Sequence, residues 1–167
     1  MNKLLSLLLL LILSLNLFSQ QTGAPEPPYR QFPTVPPFKF MLTDSVTYYS
    51  KEDLPSKKAV LLMLFSPDCD HCRHQTDSIL ANMEVLKKIQ IVMASVLPLD
   101  RIKKFQEEYQ LDRFPNMVVG RDYQFLLPGF FQTHSLPSMG LYDRKKNLIE
   151  VTEGTLSVQQ LLAKFNL

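Results

Sequence analysis

"KKAVLLMLFSPDCDHC", residues 57–72, passes from an unbroken apolar run into a proline turn and then onto both cysteines of the chain. Ala59 to Phe65 is the run expected of a strand buried on both faces, and Ser66-Pro67-Asp68 stops it. The spacing predicts a helix opening at the cysteines. Cys72, Thr76, Ile79, Leu80 and Met83 share one side of it, and His71, His74, Gln75, Ser78 and Asn82 share the other. Cys72 is thereby expected to face the core, with Cys69 at the open helix N-terminus.

Downstream, "IQIVMASVL" (89–97) reads as a second buried strand, and Ile102, Phe105 and Tyr109 mark one face of a charged helix from about Asp100 to Tyr109. Residues 116–134 form a looser middle. "SMGLYD" (138–143) and "NLIEVTEG" (147–154) read as a hairpin across Arg144-Lys145-Lys146. Ser157 and Gln160 then make a capping box for a last helix with Val158, Leu161, Leu162 and Phe165 inside. Upstream, Phe38 to Tyr49 reads as two short strands around Thr43-Asp44-Ser45. This order predicts an α/β sandwich: a mixed central sheet with helices on both faces. Cys69 falls at the C-terminal end of the first core strand, where such sheets place their chemistry.

With 167 residues, 46% hydrophobic and 20% charged, the chain has material for one globular domain, expected over residues 38–167. Before it, Met1-Asn2-Lys3, an apolar run from Leu4 to Phe18 and polar Ser19-Gln20-Gln21 have the parts of a secretory signal peptide, residues 1–19. The run is shorter than the about 20 residues of a membrane span, so no stable membrane insertion is expected after cleavage. No cysteine follows it, which excludes lipid attachment at a processed N-terminal cysteine. Residues 20–37 carry six prolines from Pro25 to Pro37 and read as an extended linker rather than core. The formal net charge of +2 names no partner. Arg144-Lys145-Lys146 is a short solvated turn, so nucleic acid is not an expected ligand.

Export gives the cysteines their significance, because an oxidising compartment lets disulfides form. As a structural staple the pair would be weak, since a loop of about four residues contributes only about 2 kcal/mol. As a redox pair it is well placed: C-x-x-C after a strand in a β-α-β pattern is a redox signature, and unpaired N–H groups at a helix start stabilise a thiolate. His71, inside the motif, supports that chemistry when protonated, while Asp68 and Asp70 oppose it. A second class is metal binding, because Cys69, His71, Cys72 and His74 offer ligands suited to Cu(I) or Zn. Against it, the histidines point to the polar side and His134 lies far along the chain. Haem attachment needs histidine directly after Cys72, where Arg73 stands.

The chain resembles the thioredoxin-fold family, in particular the exported TlpA/ResA-like thiol-disulfide oxidoreductases of bacteria. The resemblance runs from about Phe38 to Leu167 and is carried by "FSPDCDHC" (65–72) and "HSLPSMGLYD" (134–143). It implies that Cys69 attacks, that Cys72 resolves, and that the two form the redox disulfide. It also implies that Pro137 is the cis-proline facing them, with the Leu136 backbone turned toward the pair and open to a client peptide. Asp70 and His71 are the supporting residues between the cysteines. The partners implied are client proteins with thiols or disulfides and a further redox partner, with no cofactor and no resident metal. The chain departs from the family pattern at Asp68 (tryptophan in thioredoxins), at Met63 (a buried acid) and at Gln75 (a glutamate in some reductive members). Asp77, His71 or water are left as proton acceptors. Asp70-His71 replaces Gly-Pro, and a histidine before the second cysteine is found in oxidising Dsb-type proteins. The missing acids also leave open a third class, a thioredoxin-fold interaction module without useful redox activity.

Overall fold

Six consecutive side chains, Ala59–Leu64, are all buried, so this strand has no solvent face and occupies the middle of a sheet. The computed structural model describes residues 26–167. The expected signal peptide, 1–19, and the start of the expected linker, 20–25, lie outside the described residues. In chain order the elements are α1 (Pro28–Gln31), β1 (Lys39–Leu42), β2 (Tyr48–Ser50), β3 (Ala59–Leu64), α2 (Asp70–Ala81), α3 (Met83–Leu86), β4 (Ile89–Ser95), α4 (Leu99–Glu108), β5 (Met117–Arg121), α5 (Leu126–Phe131), β6 (Ser138–Tyr142), β7 (Leu148–Glu153) and α6 (Val158–Phe165). They build the expected mixed sheet, seven strands in the order β2-β1-β5-β4-β3-β6-β7. β3, β4 and β5 are parallel to one another, while β1 and β2 on one side and β6 and β7 on the other run antiparallel to their neighbours.

The two-residue period of the strands divides the core. Leu61, Met63, Ile91, Met93, Met139 and Leu141 face one layer, with Cys72 and Ile79 of α2, Ile102 and Phe105 of α4, and Val158, Leu161 and Phe165 of α6. Val60, Leu62, Leu64, Val92, Ala94 and Tyr142 face the other, with Phe38, Phe40 and the α5 residues Leu127, Phe130 and Phe131. Each fully buried aliphatic or aromatic side chain of this kind contributes about 1.5–3 kcal/mol, which fixes the register of the central strands. The expected capping box is present: the Ser157 hydroxyl accepts from Gln160 N at 3.2 Å, and Gln160 Oε1 accepts from Ser157 N at 2.8 Å.

The described part of the expected linker, residues 26–37, packs on the domain instead of extending from it. Val35 is fully buried. Its N–H donates to Lys146 O at 3.1 Å, and Leu148 N donates to Pro33 O at 2.9 Å. The prolines fix φ and leave carbonyls free to accept, so a proline-rich stretch can line a sheet edge as readily as span solvent. The middle of the chain is also more regular than its sequence pattern indicates, since it supplies β5 and α5.

Candidate active site

The apolar run of β3 ends at Leu64, and Ser66-Pro67-Asp68 carries the chain across the sheet end into α2. The turn is braced from α4: Arg101 pairs with Asp68, and Arg73 pairs with Glu108. Arg73 Nη1 also donates to Pro67 O at 3.2 Å, with its guanidinium 5.3 Å from the centre of the Tyr109 ring. This bracing fixes the position of Cys69, the N-cap of α2, whose Sγ accepts from Cys72 N at 3.3 Å. That bond holds the sulfur at the open end of the helix, where the groove reaches it.

Cys72 lies three residues on and is fully buried among Met63, Ile79, Ile102 and Met139. Burial first, and then its hydrogen bond with Cys69, push the Cys72 thiol up to about 12. The two sulfurs are both free thiols, one half-exposed and one enclosed. The opposing wall comes from the loop before β6, where Leu136–Pro137 is a cis peptide and the Leu136 carbonyl accepts from Cys69 Sγ at 3.8 Å. A groove of about 530 Å³ opens beside Cys69, with Phe65, Val96, Leu97, Pro128 and Leu136 on its apolar sides and Ser66, Ser95 and Thr133 among its polar ones.

No family model matches the sequence, and no curated protein matches it. Solved structures do. A thiol:disulfide interchange protein of the thioredoxin family from Chlorobium tepidum superposes with a TM-score of 0.66 at 16% identity, over 86% of this chain and 97% of that one. The dsbF of MTB does so with a TM-score of 0.64 at 19% identity, over 78% and 96%. A secreted Mycobacterium tuberculosis disulfide oxidoreductase homologous to E. coli DsbE gives 0.62 at 14%, over 76% and 92%. The chain has the thioredoxin fold.

In that fold the structure brings together four of the six expected site residues: Cys69, Cys72, Leu136 and Pro137. Asp70 and His71 occupy the first turn of α2 with exposed side chains, as does His74 further along. Among the described residues no three of His, Cys, Asp and Glu are arranged to hold a metal ion. Gln75 departs from its expected place on the polar face, being only 1% exposed. Its Nε2 donates to Leu156 O at 3.1 Å and its Oε1 accepts from Leu156 N at 2.7 Å, which ties α2 to the connection between β7 and α6. Cys72, Gln75, Thr76 and Ile79 follow an i, i+3, i+4, i+7 spacing, so Gln75 shares the buried face although its polar side chain gives no local sign of the partner it meets there. Arg73 carries no such signal, because the groups it holds lie elsewhere in the sequence.

Proposed function

We propose that this chain is an exported TlpA/ResA-like thiol-disulfide oxidoreductase that exchanges electrons with client proteins through Cys69-Asp70-His71-Cys72. The observation that carries this reading is the asymmetry of the two thiols. Cys69 is accessible and receives an amide hydrogen bond at the tip of α2, whereas Cys72 is enclosed. The solved structures of the same fold are described as interchange proteins and a secreted disulfide oxidoreductase, which is consistent with it. Export rests on the signal-peptide pattern of residues 1–19. No helix among the described residues is long and apolar enough to cross a membrane.

In the reducing direction the Cys69 thiolate attacks one sulfur of a client disulfide, forming a mixed disulfide and releasing the first client sulfur as thiolate. That step consumes the Cys69 thiolate and with it the hydrogen bond and charge that help hold the proton on Cys72. Cys72 then loses its proton to the released client thiolate or to water and attacks Cys69 Sγ. The Cys69–Cys72 bond forms, the bond to the client breaks, and the client leaves with two electrons gained. The oxidising direction is the reverse of these steps. Asp70 and His71, flanked by the cysteines, face solvent; the Asp70 carboxylate opposes negative charge on Cys69, and His71 favours it only in its protonated form. No cofactor enters the scheme, and a second redox protein is required to reset the pair.

Insulin serves as a test client. Cys72→Ala is expected to accumulate a mixed disulfide with an insulin chain through Cys69, seen by mass on a non-reducing gel, and Cys69→Ala less than a tenth as much. Equal trapping by both variants, or none by either, would overturn the reading. A stoichiometric metal in protein purified without chelator, lost on Cys69→Ser and His71→Ala, would point to the metal-binding alternative instead.

A further inference from the structure

Three hydrogen bonds converge on one carboxylate at the end of β7. Glu153 Oε1 accepts from His134 N at 2.6 Å, and its Oε2 accepts from Ser135 N at 3.2 Å and from Ser135 Oγ at 3.0 Å. The next residue, Gly154, donates its N–H to Pro137 O at 2.8 Å. Gly154 does so at a φ of 80°, a conformation that glycine adopts without penalty. Two residues further on, Leu156 is held by Gln75 of α2 through both of its backbone groups. One short segment, residues 153–156, thus grips the loop that carries Leu136 and Pro137 and, at its other end, the helix that begins at Cys69.

We propose that Glu153 is a positioning residue for the Cys69 site: through the 153–156 strap it sets the place of His134–Leu136 relative to Cys69, and so the shape of the wall a client peptide docks against. The proposal rests on the oxidoreductase reading for its functional consequence. Its structural consequence stands independently.

The physical basis is the direction of the amides. The His134 and Ser135 N–H groups both point to a single carboxylate, and charge-assisted bonds to it are stronger than bonds to a neutral oxygen. Slight desolvation raises the carboxyl of this exposed residue, yet the bonds from His134 and Ser135 outweigh that and hold it below the usual range, so it is ionised near neutral pH. Without the acceptor, two consecutive N–H groups must find water, and the loop that supplies Leu136 O to Cys69 loses its outer anchor. The groove is lined by Thr133, His134, Ser135 and Leu136 from this same loop, so its shape follows the anchor.

The experiment compares wild type, Glu153→Ala, Glu153→Gln and, as control, Glu150→Gln, whose carboxylate pairs with Lys164 three residues earlier on β7. Insulin reduction supplies KM and kcat, and amide hydrogen exchange supplies loop protection. Expected for Glu153→Ala is a rise of about tenfold in KM with a smaller fall in kcat, and loss of protection at His134 and Ser135. Glu153→Gln, with one accepting oxygen in place of two, should fall between, and Glu150→Gln should match wild type within about twofold. Unchanged protection at His134 and Ser135 in Glu153→Ala would overturn the strap. Lost protection with an unchanged KM would overturn the positioning role. If wild type itself reduces no insulin, the oxidoreductase reading fails with this client while the protection data still decide the strap.

Discussion

Gln75→Glu puts a carboxyl where the side-chain amide now clasps both backbone groups of Leu156. When protonated, that carboxyl reproduces the clasp: its O–H donates to Leu156 O, and its other oxygen accepts from Leu156 N. When ionised, it keeps the second bond but sets a buried negative oxygen against the Leu156 carbonyl, at a site only 1% exposed. Burial and the facing carbonyl outweigh the one remaining amide donor and disfavour the charged form, so the folded-state pKa lies above the unfolded value of about 4.3. With a raised folded pKa, the variant matches wild type most closely below the unfolded value and loses stability as pH rises toward the folded one. A shift of about 2 units, at about 1.4 kcal/mol per unit, gives a deficit of about 3 kcal/mol near neutral pH. Gln75→Ala, which loses both bonds at every pH, should cost about 2 kcal/mol with little pH dependence. Urea unfolding of all three proteins at about pH 4 and about pH 7.5 measures both differences. A Gln75→Glu deficit equal at the two pH values, or absent at the higher one, would refute the view that Gln75 is a buried clamp.

Two further outcomes follow from the packing around the sheet end. With Cys72 pushed up to about 12, limiting alkylating reagent at mildly alkaline pH should label Cys69 and leave Cys72 unmodified until the protein unfolds, as peptide mass mapping would reveal. Gly140→Ala would place a Cβ 2.7 Å from Phe131 Cζ and 2.8 Å from Tyr142 Cε2, both rings being buried. Overpacking of this kind costs about 1–3 kcal/mol, which denaturant titration should detect as a lowered midpoint without loss of sheet signal.

What the sequence made legible was whatever depends on local pattern. The apolar runs at Ala59 and Ile89 had to be central strands because both of their faces are filled, and the Ser157–Gln160 box marked α6 because its partners are three residues apart. The middle was opaque for a physical reason. β5 is short and ends in Gly120-Arg121, and the demand for glycine comes from another strand, since a Cβ there would lie 2.9 Å from Met41 O. α5 contains Pro128 and Gly129, poor helix formers, and is held at its start by the buried Asp122, whose carboxylate accepts from Leu126 N at 3.0 Å and Leu127 N at 2.8 Å. At the site, the cysteines and Pro137 were visible as motifs. Gln75 and Glu153 were not, because their partners are backbone groups 81 and 18–19 residues away.

The most direct measurement is a redox titration of the whole protein against glutathione, read by thiol labelling and intact mass. If Cys69 and Cys72 form one reversible couple, both thiols should disappear together in a single two-electron transition with loss of two hydrogens. The midpoint should fall between about −270 mV, the range of thioredoxin, and about −120 mV, that of a strongly oxidising disulfide protein. Stable glutathione on Cys69 with Cys72 still a free thiol, or no oxidation of either across that range, would contradict an oxidoreductase and leave the fold as a scaffold for another purpose.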